Sequence, residues 1–498
     1  MKSLAQRSIS STLWNAVAGI LKVSIYMVRF VLLSRWVPKS AFGLYATANT
    51  VVLLTISLAS FGLGGAFLHR SAETEDETQA AAQHFTLKLI FTSLWMALML
   101  GGAWLFTRGE TRLAIGALTL IRAATELTQT PELILTRRVV QRRLALLDLV
   151  NAIVTTLIAL GLAWRGVTLW ALLATDVVTM LVSILILYVW RPVWRPRLAW
   201  RWSSVRYYLA FGSRNFVGAL LLRVLNDVDD LWTRLYLGNI PLADYSRAFT
   251  LATYPRTLLA NPLDQTIQGT YAELKTDRLR LSKAFFRTNA LLVRTGFFLG
   301  GALALVAPEL IRILLTAKWL TMLDAFRLML VFTLLDPIKL SLAQVFLAVG
   351  RPERVAYTRL AQLVALLVGL YVLGPRLGIA GVALAVDVML AVGIVLLLVQ
   401  ARAYVDFSWR RLFGAPTLAL AVGMGLGRLA IGLPGVNESD WVRGAVKIGV
   451  FSAVYVGIWW ALERRDLSAL WANYSYLWRR LRRSAEPPPP PSQEPWSE

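Results

Sequence analysis

The sequence predicts an all-α polytopic membrane protein of about fourteen transmembrane helices, each near the ~20 residues that cross a hydrocarbon core. The expected arrangement is two six-helix bundles related by a pseudo-two-fold axis along the membrane normal, with two extra helices at the C-terminal end. Three observations predict it. The 498 residues are 57% hydrophobic with a mean hydropathy of +0.57, too apolar for a soluble chain of this length. The apolar residues fall in runs of membrane-crossing length. A shift of the sequence by about 200 residues lays its first half on its second, the mark of an internal repeat.

In chain order the spans are expected near 10–34, 42–67, 84–107, 112–136, 143–163, 167–190, 207–237, 242–268, 284–307, 322–349, 355–374, 378–400, 413–432 and 441–462. The first run, Ser10 to Leu33, is too long for a signal-peptide core and lacks a small-residue cleavage site, so it is expected to stay as a helix. The fourth and eighth are interrupted by Arg122, Glu126, Pro131 and Glu132, and by Arg247, Arg256, Pro262 and Asp264; such spans line a protein interior. Trp36-Val37-Pro38 and Gly238-Asn239-Ile240-Pro241 read as tight hairpins, because proline and glycine end helices. Gly62, Gly64 and Gly65 permit close helix approach or a bend.

Loop charges fix the orientation. With a cytoplasmic N-terminus, about 28 basic residues lie inside against about 10 outside, as the positive-inside rule requires. The largest inner groups are Arg137, Arg138, Arg142 and Arg143, then Arg191 to Arg206, then Lys275 to Arg287. The acidic loop Ser71 to Gln79 counts little in that rule. Both termini are expected in the cytoplasm. Beyond the last span, Asp466 to Arg483 alternates aromatic and apolar residues with a late arginine cluster. It reads either as an amphipathic helix on the anionic inner leaflet or as a stop-transfer flank. The tail from Glu486, with five consecutive prolines, is expected to be disordered.

The repeat pairs Asn15 with Asn215, Leu21 with Leu221, Tyr45 with Tyr245, Ala48 with Ala248, Thr50 with Thr250, Phe85 with Phe285 and Gly101 with Gly301. The offset spans an even number of helices, so both copies share one orientation, which puts a substrate site between them. The expected units are 1–200, 201–402, the added helix pair in 403–465, and the tail 466–498.

A net charge of +23 points to nucleic acid or to anionic lipid. The basic residues sit in short loops between apolar spans, which selects the membrane and sets nucleic acid aside. The chain has no cysteine and only two histidines, His69 and His84. Disulfides, thiol catalysis and thiolate or histidine metal sites are therefore excluded, and neither a metal nor an organic cofactor is expected.

The residues also carry a resemblance. Leu33 to Arg70 (LSRWVPKSAFGLYATANTVVLLTISLASFGLGGAFLHR) is similar to the first hairpin of the polysaccharide-biosynthesis, Wzx-like oligosaccharide flippases. These belong to the multidrug/oligosaccharidyl-lipid/polysaccharide exporter superfamily. DLWTRLYLGNIPLADYSRAF resembles the start of that family's second half. Ala307 to Trp319, Ala348 to Gln362 and Gly374 to Ala385 resemble later segments. The order and spacing together cover roughly Leu4 to Gln400. The resemblance implies two helical bundles forming a V around a central cavity, in a protein of the inner membrane. It implies flipping of a polyprenyl-diphosphate-linked oligosaccharide by alternating access, with membrane lipids and polysaccharide-assembly proteins as partners. The family has no catalytic signature, so no enzyme activity is expected.

Such a substrate explains the charges within the spans. A sugar diphosphate cannot cross hydrocarbon bare, because its polar groups lose their water. Arginine suits phosphate, since its fork donates two parallel hydrogen bonds. In the first span Ser11, Asn15, Lys22, Tyr26 and Arg29 make one stripe at helical spacing, and Asn215, Arg223, Asn226, Asp230 and Arg234 repeat it in the seventh. The expected cavity lining is Lys22, Arg29, Arg122, Arg214, Arg223, Arg247 and Arg294, with Asn15 and Asn215. The bland alternative is ion pairing at four-residue spacing, Arg122 with Glu126 and Arg223 with Asp227. Asp227, Asp229 and Asp230 are candidates for coupling flipping to H⁺ or Na⁺. As a DxD motif they would suit a glycosyltransferase or polymerase, which would need a large extracytoplasmic loop that this chain lacks. Asp148, Asp176, Asp336 and Asp387 read as helix-to-helix hydrogen bonders. Within the superfamily the alternatives are a lipid II flippase and a multidrug exporter, the latter expected to have a more acidic cavity.

Overall fold

A computed structural model of the chain describes residues 4–70, 76–138, 141–432 and 439–463. The expected surface helix at 466–483, the proline-rich tail and most of the acidic loop after Arg70 lie outside the described residues. So do the side chains of Asn15, Pro262 and Asp264.

The described chain is helical throughout: α1 (Leu4–Trp36), α2 (Lys39–Thr55), α3 (Ser57–Ser60), α4 (Leu63–His69), α5 (Glu77–Phe106), α6 (Gly109–Leu127), α7 (Gln129–Arg137), α8 (Gln141–Trp164) and α9 (Thr168–Ile184) form the first half. The second half is α10 (Trp202–Tyr236), α11 (Asn239–Leu274), α12 (Arg278–Leu315), α13 (Leu323–Ala348), α14 (Pro352–Leu377) and α15 (Ile379–Ala401), followed by α16 (Ala415–Leu429) and α17 (Asp440–Leu462). Every expected span overlaps one of these helices or a run of them. Among the described residues, ten segments are long and apolar enough to cross a membrane. The expected spans outside that set are α1, α6–α7, α10 and α11; α10 holds Arg206, Arg214, Arg223, Asp227, Asp229, Asp230 and Arg234.

The turns follow from backbone chemistry. Pro38 is extended (φ −71°, ψ 153°) and caps α2; its ring removes a donor and pushes Val37 out of the helix, so α1 stops and α2 starts afresh. Gly238 sits at φ 103° between α10 and α11, where a side chain would be strained. The second span is broken. Ile56 is a turn, and Phe61 (φ 40°) and Gly62 (φ 67°) are both left-handed. Asp76, Asp277 and Ser439 cap α5, α12 and α17 by accepting from Thr78 N, Arg280 N and Val442 N at 3.2, 3.0 and 3.2 Å.

α10 straddles the two halves. Its first turns pack on the first bundle, where Val205 and Tyr208 join Leu63, Phe67 and Ile134. Its last turns pack on α14, with Trp232 against Gly374. At the hairpin end one core runs across both bundles, from Phe30, Leu33 and Phe42 to Ile311, Trp319 and Phe326. Phe42 meets Trp319 edge-on at 5.6 Å.

The C-terminal pair is keyed to α12 by buried charge. Arg294, 2% exposed, grips Glu463 with Nε at 2.5 Å and Nη2 at 2.7 Å. Lys447 Nζ donates to Glu309 at 2.7 Å. Tyr455 OH donates to the Arg294 carbonyl at 2.9 Å. Arg294, expected from the sequence to line the cavity, is thus engaged with the last helix of the chain.

Removing one partner of a buried pair strands the other. Glu463→Gln should lower stability by about 3–5 kcal/mol, while the double variant R294M/E463M should lose far less, because no charge is left buried. Thermal unfolding of the detergent-solubilised protein measures both.

Candidate functional site

The charges in the first bundle are brought together by helix packing. α1 lies along α8, so Lys22 pairs with Asp148 at 2.6 Å and Arg29 Nη1 donates to Thr155 at 2.9 Å, two turns further on. α6 packs on α9, and Arg122 Nη2 meets Asp176 at 2.9 Å rather than Glu126 at four-residue spacing. Glu126 is taken instead by the fully buried Lys88, with Ser60 Oγ donating to it at 3.0 Å. Tyr45 of α2 donates to the second oxygen of Asp176 at 2.7 Å.

From the second half, α11 brings Arg247 into this group. Its guanidinium lies over Phe42 at 3.9 Å and over Phe30 at 5.1 Å. It makes no ion pair among the described residues, and its Nε is buried without a hydrogen-bond partner. Arg29 is close enough to Arg247, and both Arg122 and Arg247 close enough to Tyr45, to interact electrostatically. Tyr254 donates to the Tyr26 carbonyl at 3.1 Å and packs edge-on against Phe30. Arg122 of the first half and Arg247 of the second therefore both lie beside Tyr45, Arg29 lies beside Arg247, and Asp176 is the carboxylate paired within the group. Like charges held this close favour an anion between them.

A second polar site lies wholly in the second half. A cavity of about 410 Å³ is enclosed by α10, α11, α13, α14 and α15. Asp227 and Asp229 form one wall and Arg256, Asp336, Lys339 and Arg359 another. Asp336 is held by Arg256 Nη2 at 2.5 Å and Lys339 Nζ at 2.6 Å. Arg359 has no carboxylate in ion-pair range among the described residues. Asp227 pairs with Arg223 at 3.1 Å, four residues back. Asp229 accepts from Tyr245, and its other oxygen is buried without a partner. Asp230 turns instead towards Thr50 of α2.

Of the residues expected to share one lining, Arg29, Arg122 and Arg247 converge, with Lys22 along the same helix as Arg29. Asp227 and Asp229, the coupling candidates, line the second cavity, and Arg223 pairs with Asp227 beside it. Arg214 and Asn215 are exposed on α10; Asn215 Nδ2 donates only to the Phe211 carbonyl, at 3.3 Å. Asp148, Asp176 and Asp336, expected as helix-to-helix hydrogen bonders, take cations as partners. Sequence reasoning did not single out Lys339 and Arg359, which the packing of α13 and α14 brings to the same cavity. The repeat offered a usable signal for the tyrosines, since Tyr45 and Tyr245, paired by the offset, each donate to a buried aspartate. Among the described residues no group of three or more His, Asp or Glu side chains is placed to hold a metal ion.

Known proteins share this architecture. A family described as polysaccharide biosynthesis protein matches residues 32–324, more than half of the chain. The chain belongs to the polysaccharide biosynthesis protein family. A curated relative, the lipopolysaccharide biosynthesis protein WzxC of Escherichia coli (strain K12), is 20% identical over 366 residues, covering 70% of this chain and 72% of that one. Among solved structures, the lipid II flippase MurJ in an inward closed conformation superposes with a TM-score of 0.74 at 13% identity, over 91% of this chain and 99% of that one. An inward-facing multidrug resistance MATE family transporter gives 0.60 at 17%, over 79% and 97%. This member of the polysaccharide biosynthesis family is a multi-pass membrane protein with the fold of those transporters.

The two classes of ion pair differ in depth, and substitution should expose that. Asp336→Ala, at 5% side-chain exposure, leaves Arg256 and Lys339 unmatched and should cost about 3–5 kcal/mol. Asp227→Asn, whose partner Arg223 is 32% exposed, should cost about 1 kcal/mol or less. Chemical denaturation in mild detergent compares them.

Proposed function

We propose that this protein flips a polyprenyl-diphosphate-linked oligosaccharide, a polysaccharide precursor, across the inner membrane by alternating access. The observation that carries the reading is the approach of Arg122 and Arg247, one from each bundle, to Tyr45, with Arg29 beside Arg247. A diphosphate bridging them would be held by charge-assisted, bidentate hydrogen bonds. Arg247, seated on aromatic faces without an acid partner, is the residue freest to exchange its contacts for phosphate. Lys22, paired with the half-exposed Asp148, lies two turns nearer the chain's start, on the path of an anionic headgroup entering from the N-terminal side.

Both termini are cytoplasmic in this reading, so the α1–α2 and α10–α11 hairpins face the extracytoplasmic side. Family membership and the relative named for lipopolysaccharide biosynthesis support a glycan precursor as cargo. The acidic pair Asp227 and Asp229, with one buried oxygen lacking a partner, is the proposed site of coupling to H⁺ or Na⁺. Lipid II is the second reading. It is favoured by the superposition on a lipid II flippase, and it would use the same arginines, because its headgroup is also a sugar diphosphate.

In reconstituted vesicles, Arg29→Gln, Arg122→Gln and Arg247→Gln should each slow transport of a lipid-linked oligosaccharide roughly tenfold or more, the loss of one charge-assisted hydrogen bond. Arg214→Gln should leave it unchanged. Full activity in all three cavity variants would remove the assignment, and transport of lipid II alone would select the second reading.

A further inference from the structure

The hairpin end of the molecule is closed by cations that hold backbone carbonyls. At the end of α1, Arg35 reaches across to the last turn of α12. Its Nε donates to the Leu314 carbonyl at 2.7 Å and its Nη2 to that of Ile313. The contact is returned from the other side. Lys318 Nζ, just past α12, donates to the Arg35 and Val37 carbonyls at 3.0 and 3.1 Å. Trp319 Nε1 donates to Ser34 O at 2.9 Å. Each bundle thus caps the C-terminal end of the other's helix, where the helix dipole favours positive charge. Next to this pair, Lys39 binds Asp244 and Thr321, both at 2.6 Å.

The partners of these cations are unequal. Lys39 has a carboxylate. Arg35 and Lys318 pair with no carboxylate among the described residues; both donate to neutral carbonyls, and both side chains are exposed. A hydrogen bond from a cation to a neutral carbonyl is weaker than one to an oxyanion. An arriving phosphate would therefore be the better partner for both.

We propose that Arg35 and Lys318 form an anion-exchangeable latch between the bundles. Closed, they grip each other's helix ends; a phosphate or diphosphate draws them off the carbonyls and lets the hairpin end part. The same two groups then hold the anion at the opening. That the anion in the membrane is the substrate's diphosphate rests on the function proposed above; the latch itself does not. The chemistry also admits free inorganic phosphate, which the experiment separates.

The chain contains no cysteine, so a pair introduced at the exposed Ser40 and Asp324 reports only on the spacing of α2 and α13. With spin labels there, dipolar EPR on the full-length protein should give a short distance that lengthens on adding sodium pyrophosphate. Sodium chloride at matched ionic strength should not lengthen it. In the R35Q/K318Q background the long distance should dominate without any anion, the open-to-closed ratio rising roughly tenfold or more, and pyrophosphate should add nothing. Orthophosphate acting as strongly as pyrophosphate would identify a general phosphate site; pyrophosphate acting more strongly would identify the diphosphate. A distance unmoved by either anion, or R35Q/K318Q remaining closed, overturns the latch. Transport by the Arg247→Gln variant, measured separately, tests the substrate reading, so the two can fail independently.

Discussion

Charge placed inside a hydrocarbon layer has to be met by a partner or by water, and most of what is particular to this fold follows from that constraint. A single carboxylate or guanidinium at mid-membrane is costly, and the helices are paired so as to answer it. α1 meets α8 through Lys22 and Asp148, α6 meets α9 through Arg122 and Asp176, α11 meets α13 through Arg256 and Asp336, and α12 meets α17 through Arg294 and Glu463. These contacts fix register between helices whose apolar faces alone would slide. Arg29, Arg247 and Arg359 stand apart from this matching, with no carboxylate in ion-pair range among the described residues.

Much of this was legible in the sequence. Apolar runs locate the middle of each helix, because a span must be long enough to cross the membrane, but α5, α11 and α12 extend well beyond the apolar stretch at one end or both. The Pro38 and Gly238 turns and the break at Gly62 were visible because proline and glycine end helices. The site was only half legible. Stripes at three- and four-residue spacing show which residues share a face of one helix, but not which helix that face meets. So spacing along the helix offers Glu126 as the alternative partner of Arg122, an expected cavity residue, whereas packing hands Arg122 to Asp176 and gives Glu126 to Lys88. Arg294 looked like a cavity cation because Glu463, its partner, is 169 residues away and just past the final span. Asp336, Lys339 and Arg359 gain their meaning only once α13 and α14 fold around the same cavity.

The two polar sites also differ in kind. The group around Tyr45 is built across the bundles and is rich in guanidinium, as a place for a bridging anion would be. The cavity in the second half balances acids against bases, with Asp227, Asp229 and Asp336 set against Arg256, Lys339 and Arg359. A charge-balanced cavity has no strong preference for an anion, which separates its chemistry from that of the interface. Tyr45 and Tyr245, which the 200-residue offset aligns, each anchor an aspartate, one beside each polar site.

The broken second span has one more consequence. Its two ends touch the second half backbone to backbone at glycines: Gly43 of α2, with no room for a side chain against the Asn239 carbonyl, and Gly62 at the start of α4, where a methyl group would lie 2.7 Å from the Gly212 carbonyl. The helical pieces between them are joined at Ile56. A side chain at either glycine would force backbone apart, so two missing methyl groups, one before the break and one after it, fasten the span to its neighbours at both ends.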